Sequence, residues 1–277
     1  MNENILIEQA VAGNGKALEE LLTGVQDMVF NLALRMLGTV HDAEDATQDI
    51  LIRVMTNLMS FRRECGFHTW VYRLSVNYLL NYKKSMFAEH PLDFEFYGND
   101  IRYAKLDEED GVLDEMTRKD LAEELKLSCS NVMLQCLDAE TRCIFILGTM
   151  FRIDSKTGAE IMEITPENYR QRLSRARRKV ADFLTEYCGL SGKGFCSCYH
   201  RVSYAVSQGR LSAGRMEFAG LQESEMARLA ECTEQMERLD ALACTFEAFP
   251  CYRSTVSSSQ AIKKLLGSDA WKRIKTL

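Results

Sequence analysis

The sequence predicts an all-α protein with two small helical domains, an acidic linker between them and a helical C-terminal extension. The 277 residues include only three prolines, and helix-forming residues such as Leu, Ala, Glu and Arg are abundant. Apolar residues recur at three- and four-residue spacing along most of the chain, as helices require. This periodicity fails in an acidic stretch and again in a Gly/Ser-rich stretch. The breaks predict domains at 1–88 and 113–187, a linker at 89–112 and an extension at 188–277.

Composition bounds the class of protein. Hydrophobic residues make up 46% of the chain and charged residues 27%, which is ordinary for a globular protein. No apolar run approaches the roughly 20 residues that span a bilayer. The N-terminal segment lacks a basic region followed by an apolar core, so it does not read as a secretory signal. We therefore expect a cytoplasmic protein without membrane insertion.

The first domain opens with a helix whose apolar residues run from Leu18 to Met36, and Gly38 ends that pattern. A second helix is expected from about Asp42 to Leu58. Its inward positions are apolar, and a different set projects outward: Asp45, Gln48, Asp49 and Ile52. An exposed Ile among acids and an amide suggests a protein-docking face with an apolar centre and a charged rim. The alternative is an ordinary solvated first turn, since early acids suit a helix N-terminus.

A third helix is expected from about His68 to Lys84. It interleaves aromatic residues with polar and basic ones, and the candidate nucleic-acid contacts are Trp70, Arg73, Asn77, Asn81 and Lys84. Such a mixture suits single-stranded nucleic acid, because bases stack on aromatic rings while cations neutralise phosphates. The alternative is that the aromatic residues are simply part of the core. The next segment, from Ala88 to Gly111, has a surplus of acids and no periodicity, which favours a linker.

The second domain contains a basic helix in an otherwise acidic chain of net charge -6. Thr165-Pro166-Glu167 is a strong helix start, because Thr caps free amides, Pro suits the first position and Glu suits the helix dipole. The outer face and its flanks hold Glu167, Asn168, Arg170, Gln171, Arg172, Ser174, Arg175 and Arg178. Such residues read base edges or bind phosphates. The apolar GAEIMEI pattern just before the turn completes a predicted helix-turn-helix. The alternative is a solvated basic face.

Three motifs together resemble the extracytoplasmic-function (ECF) group of bacterial RNA polymerase sigma factors. They are LALRMLGTVHDAEDATQDILIRV, FHTWVYRLSVNYLLNYKK and IMEITPENYRQRLSRARRKV, and the resemblance covers about residues 5–186. It implies that the Asp45 face docks on the beta-prime clamp helices of core polymerase. It also implies that the Trp70–Lys84 helix melts and reads the minus-ten element, and that the basic helix reads the minus-thirty-five element. Within this pattern Asn81 stands where Asp is usual, Lys84 where Arg is usual, and Gly158 and Glu163 depart from the usual apolar residue and Gly.

The resemblance implies a promoter-specificity subunit that has no chemistry of its own and needs no cofactor. Its expected partners are core RNA polymerase, through the beta-prime clamp helices and the beta flap, and promoter DNA, with an anti-sigma factor as a further candidate. One alternative is a helix-turn-helix regulator that is not a polymerase subunit. The other is a degenerate sigma-like protein that acts only through protein partners.

The C-terminal extension carries a cysteine cluster with three open interpretations. Cys188, Cys196, Cys198 and His200 could supply four ligands to a structural zinc ion, although their spacing is not a strong zinc signature. They could instead form a redox-sensitive thiol cluster, or they could be inert. Downstream we expect an amphipathic helix at about 223–249 and a basic amphipathic helix at about 260–275.

Overall fold

We describe a computed structural model of the chain. It describes residues 3–82, 87, 91–103, 114–191, 194–212, 214, 216–218, 220–222, 250–257 and 259. Over these residues the structure consists of helices and connecting segments without a sheet, which confirms the predicted all-α fold. Among the helices in these ranges, none has the length and apolar character needed to cross a bilayer. The predicted helices at 223–249 and 260–275 lie outside the described residues, as does Lys84.

The N-terminal region consists of four helices packed around one core. They are α1 (Glu3–Val11), α2 (Gly15–Leu37), α3 (Val40–Asn57) and α4 (Phe67–Leu80). The central helix is α2, which is buried on nearly every side over its second half and packs on α1, α3 and α4. It begins at Asn14, whose side chain accepts hydrogen bonds from the amides of the first turn, and it ends at Gly38. Gly38 has a φ of 88°, a left-handed conformation that glycine adopts without steric cost, so the predicted end is confirmed.

The rest of the described chain forms a second group of helices. They are α5 (Phe94–Tyr103), α6 (Glu115–Gln135), α7 (Ala139–Phe145), α8 (Ser155–Ile161), α9 (Pro166–Tyr187) and α10 (Val202–Ser207). A π-helical turn, Ile146–Met150, follows α7 directly. The α8–turn–α9 unit is the predicted helix-turn-helix. The α10 helix lies within the predicted C-terminal extension.

The predicted linker contains a helix that the periodicity argument missed. Phe94, Tyr97 and Ile101 lie at helical spacing along α5, and Tyr97 and Ile101 are buried. The Tyr97 ring stacks on Phe183 of α9 with the centroids 5.6 Å apart. The helix is short, so its apolar stripe has only three residues. The acids between them made this periodicity too weak to recognise in the sequence. This segment therefore packs on the second domain.

The extension is attached to α5 by a carboxylate with three partners. Asp100 is only 11% exposed and accepts hydrogen bonds from Arg210 at 2.6 and 2.9 Å, from Arg201 at 3.1 Å and from Tyr204 at 3.0 Å. Burial alone would raise the pKa of Asp100, but the hydrogen bonds from Arg210 and Tyr204 and the nearby positive charges outweigh it and lower the pKa. Asp100 therefore stays ionised and fixes the start of the extension.

A half-buried arginine joins the two predicted domains. Arg142 of α7 donates to the Met36 carbonyl of α2 at 2.6 Å and to carbonyls at the end of α6, including Leu134 and Leu137. Carbonyls in the last turn of a helix have few intrahelical donors, and the guanidinium supplies donors to both helix ends at once. Burial lowers the pKa of Arg142 to about 10, although Asp138 acts in the opposite direction. The contact ties the C-terminal end of α2 to the second group of helices.

The helix-turn-helix contains the two departures noted in the sequence, and each has a structural explanation. A Cβ built on Gly158 would lie 2.4 Å from the Tyr169 ring, so only glycine permits the close packing of α8 on α9. In the turn, Glu163 has a φ of 54°, the left-handed region that L residues other than glycine avoid. The turn thus keeps a glycine-like conformation although a Glu occupies the position.

The conformation of Glu163 generates a stability prediction. We expect Glu163→Gly to raise the free energy of unfolding by about 1 kcal/mol, because it removes the steric penalty of the left-handed conformation. The matched control is Glu160→Gly, which also removes a Glu beside Arg73 but places glycine in a helix, where we expect a loss of about 1 kcal/mol. Chemical denaturation of both variants measures the difference. A destabilised Glu163→Gly variant would contradict the prediction.

Candidate nucleic-acid interface

The candidate base-reading face lies on the exposed side of α9. The Thr165 hydroxyl accepts a hydrogen bond from the Asn168 amide at 3.3 Å, and Pro166 occupies the first turn, as the sequence predicted. Tyr169 and Leu173 are buried on the opposite side. All the candidate residues except Arg172 are exposed: Glu167, Asn168, Arg170, Gln171, Ser174, Arg175 and Arg178. The face therefore has the helical phase that contact with a DNA groove requires.

Two arginines of α9 have intramolecular partners. Arg172 is half-buried and forms an ion pair with Glu140 of α7 at 2.9 Å. Arg177 donates to the Gly148 carbonyl at 2.9 Å and to the Thr149 hydroxyl at 3.0 Å. It thereby satisfies groups of the π-helical turn, so Arg177 supports the fold. Neither partner was identifiable from the sequence.

The candidate single-strand surface lies on α4 and is only partly free. Trp70 is half-buried between Phe61 and Phe67, with ring centroids 5.2 and 5.9 Å away, so much of the ring belongs to the core. Asn77 and Asn81 are exposed, and the Asn81 side chain donates to the Asn77 carbonyl at 2.8 Å. The two asparagines lie near the C-terminal end of the helix and are the most accessible of the predicted α4 residues.

Arg73 of α4 is paired with the helix-turn-helix. Its guanidinium lies 3.4 Å from the Glu160 carboxylate and 3.9 Å from that of Glu163. The Arg73 side chain is 31% exposed. A residue predicted to contact the minus-ten element therefore interacts with the region predicted to read the minus-thirty-five element. The sequence contained no signal for this contact.

The candidate docking face on α3 has its two acids exposed as predicted, but Ile52, expected as an exposed apolar centre, is not an exposed residue. Asp45 and Asp49 are exposed, while Gln48 and Ile52 are half-buried, and Ile52 packs against the core. Asp49 accepts a hydrogen bond from the Tyr78 hydroxyl of α4 at 2.7 Å. Burial and this hydrogen bond raise the pKa of Tyr78 well above its ordinary value, so the hydroxyl keeps its proton. Asp49 therefore also joins α3 to α4, a role the sequence did not predict, whereas Asp45 makes no comparable contact with the residues that the structure describes.

The predicted zinc ligands do not assemble into a metal site in the described part of the chain. There, no group of three or more His, Cys, Asp or Glu side chains is arranged to hold a metal ion. His200 is exposed, while Cys188, Cys196 and Cys198 are half-buried. Cys188 and Cys196 pair through an isolated backbone bridge, and the cysteines in the described ranges form no disulfide. Burial raises the pKa of Cys198 to about 11, so its thiol is protonated at neutral pH.

Cys129 of α6 lies near this cluster and was not predicted as part of it. Its sulfur accepts a hydrogen bond from the Tyr97 hydroxyl at 2.9 Å. Burial raises its pKa to about 12, and the neighbouring Cys198, Cys196 and Cys188 act in the same direction. Protonated thiols in these surroundings pack as small apolar groups.

The fold and the three faces define a class of helical protein with separate acidic and basic exposed surfaces, and comparison with known proteins makes that class specific. A family model described as sigma-70 region 2 matches residues 21–85, which include α3 and α4. The ECF RNA polymerase sigma factor SigW of Bacillus subtilis is 29% identical over 176 residues, covering 63% of this chain and 92% of SigW. The ECF RNA polymerase sigma-E factor of Escherichia coli K12 is 27% identical over 183 residues, covering 65% and 93%.

Two solved structures are also similar to the chain. One is CnrH in complex with the cytosolic domain of CnrY, with 20% identity, a TM-score of 0.47, and coverage of 66% of this chain and 96% of that one. The other is the sigma factor RpoE in complex with the anti-sigma factor NepR from Bartonella quintana, with 19% identity, a TM-score of 0.39, and coverage of 61% and 97%.

The matched region and the curated relatives make this chain a sigma factor that acts in transcription initiation. Within that class it is a sigma factor of the extracytoplasmic-function group. The relatives are matched over more than nine-tenths of their own length, yet about a third of this chain has no counterpart in them.

Proposed function

We propose that this chain binds core RNA polymerase through the α3 face, directs it to promoters through α9, and assists DNA melting through α4. The observation that carries the proposal is the exposure of two surfaces of opposite charge on separate helices. The acids Asp45 and Asp49 are exposed on α3, and Arg170, Arg175 and Arg178 are exposed on α9. Oppositely charged faces suit a protein that meets a polymerase on one side and DNA on the other.

Within this proposal the division of the chain follows the sequence-based prediction. Residues 1–88 would bind polymerase and the minus-ten element, residues 113–187 would read the minus-thirty-five element, and 188–277 would form an extension. We propose contacts with the beta-prime clamp helices and the beta flap, and we include an anti-sigma factor as a regulatory partner. We further propose that the protein works in the cytoplasm by binding alone, without a chemical step or a cofactor.

The helix-turn-helix regulator that is not a polymerase subunit is less well supported. Such a regulator has no need of a sigma-70 region 2, and that region matches residues 21–85. It also has no need of an acidic face such as that around Asp45. We therefore prefer the polymerase subunit.

Run-off transcription tests the proposal directly. Holoenzyme reconstituted from the full chain and core polymerase would first select promoter DNA from a random pool. We expect a transcript of defined length from the selected DNA, and none from core polymerase alone. Binding to duplex DNA without any promoter-dependent transcript would reject the proposal in favour of the regulator.

The docking assignment predicts the effect of a charge reversal on α3. We expect Asp45→Lys to weaken binding to core polymerase by about tenfold or more, because a like charge replaces an attractive one at the rim of the interface. Asp45 is preferable to Asp49, whose carboxylate also joins α3 to α4. The matched control is Glu20→Lys, the same change at an exposed acid of α2. Equilibrium binding to fluorescently labelled core polymerase measures both, and equal affinities would refute the assignment.

The base-reading assignment predicts a sequence-dependent effect on α9. If Arg175 makes a bidentate base contact, Arg175→Ala should weaken binding of the holoenzyme to its promoter by about 1–3 kcal/mol. That loss should disappear on DNA in which the minus-thirty-five element is scrambled. The control Lys16→Ala removes one exposed positive charge on a different helix, α2. A loss of equal size on every DNA sequence would identify Arg175 as a phosphate contact instead.

A further inference from the structure

The C-terminal extension reaches back onto both groups of helices. We call residues 217–218 and 250–254 the tail clasp. At one end, the Asn31 side chain of α2 donates to the Tyr252 carbonyl at 2.6 Å and accepts from the Tyr252 amide at 2.7 Å. The Ser254 amide donates to Asp27 of α2 at 2.7 Å. Asn31 is fully buried and Tyr252 is 2% exposed, so these bonds are shielded from water.

The other end of the clasp is fixed to α6. The Glu124 carboxylate accepts hydrogen bonds from the amides of Glu217 and Phe218 at 2.6 and 3.0 Å. Glu124 is 4% exposed, and bonds to a buried charged acceptor are among the stronger ones in proteins.

The two ends of the clasp are joined to each other. The rings of Phe218 and Tyr252 lie 6.3 Å apart, and the Arg253 amide donates to the Gln222 carbonyl at 2.7 Å. Beneath them, Arg35 of α2 donates to the Pro250 carbonyl at 2.8 Å and to Asn131 of α6 at 2.7 Å. The clasp therefore links α2, in the first group of helices, to α6, in the second.

In the arrangement that the clasp holds, the two DNA-binding faces are closer together than the two promoter elements they would contact. Elements about 25 base pairs apart lie about 85 Å apart on B-form DNA, at 3.4 Å per base pair. Here Arg73 of α4 is in ion-pair contact with Glu163. At most about 15 Å of chain separates Glu163 from Glu167, the first base-reading candidate, because consecutive Cα atoms are 3.8 Å apart. When the lengths of the Arg73 and Glu163 side chains are added, the Cα atoms of Arg73 and Glu167 lie within about 30 Å of each other. Each of these two residues belongs to one of the two DNA-binding faces.

We propose that the tail clasp is an autoinhibitory lock that holds the two promoter-binding regions together until it is released. The inference rests on the proposed function, since only a protein that must reach both promoter elements is inhibited by closure. Asp45 and Asp49 remain exposed in the closed arrangement, so the clasp leaves the candidate docking face on α3 open. The clasp instead keeps the two DNA-binding faces too close together to contact both promoter elements at once.

Two variants of the full chain cut the clasp at different ends. Tyr252→Ala removes the ring that contacts Phe218 and Arg35, and Glu124→Ala removes the acceptor on α6. Tyr103→Ala is the matched control, because it removes a Tyr side chain that is 83% exposed. Two measurements apply to each protein: the radius of gyration from small-angle X-ray scattering of the free chain, and run-off transcription at limiting sigma concentration.

We expect both clasp variants to have a larger radius of gyration than the wild type, while the control does not. The concentration giving half-maximal transcript should fall about fivefold or more, because a larger fraction of the chain is competent to bind DNA. The double variant should gain little over either single one, since both cut the same link. If Tyr252→Ala loses its cooperative melting transition, Glu124→Ala alone carries the test.

The outcomes separate this inference from the proposed function. A lower melting temperature with unchanged radius of gyration and transcription would show that the clasp only stabilises the fold, and would overturn the lock. Expansion without any gain in transcript from an active protein would overturn the autoinhibitory role. A lack of transcript from wild type and variants alike would instead be a failure of the proposed function.

Discussion

The buried guanidinium of Arg35 is the point on which the closed structure depends. Arg35 is 1% exposed, and burial lowers its pKa, while Tyr252 and Cys251 act in the opposite direction. A charge in such a place is tolerated only when its donors are satisfied. The acceptors include Asn131 of α6 and the Pro250 carbonyl of the extension, neither of which belongs to the same group of helices as Arg35. The buried charge of the N-terminal region is therefore satisfied in part by groups from the other two parts of the chain.

Different surfaces of the protein carry charges of opposite sign, although the net charge of the chain is negative. The positive face of α9 is exposed, whereas Arg142 and Arg177, which hold the fold together, are half-buried and donate mostly to carbonyl oxygens. The acids Asp45 and Asp49 form a separate exposed patch on α3. Net charge averages over these surfaces, so it carries no information about which of them meets DNA.

Sequence rules that involve only neighbouring residues predicted the helix ends and the helical phase, but they did not predict contacts between distant parts of the chain. The end of α2 at Gly38 and the start of α9 at Thr165 were predictable, because a cap depends on residues next to it. The phase of the α3 and α9 faces followed from periodicity alone. By contrast, Arg35 and Pro250 are 215 positions apart, and no pattern in the sequence joins them. The helix α5 was missed because its acids obscured a stripe of three apolar residues.

The closed arrangement combines strong and weak contacts, and their difference determines how it could open. The pair between Arg73 and Glu160 is 31% and 43% exposed, and such pairs contribute only about 0–1 kcal/mol. DNA phosphates could therefore replace the glutamates at little cost. The contacts of Asn31, Glu124 and Tyr252 are buried. Breaking them would expose buried groups to water or leave buried polar groups without a hydrogen-bond partner. The extension therefore adds buried contacts to those that Arg142 and Arg35 already make between the two groups of helices, whereas the Arg73 ion pair is partly exposed and weak.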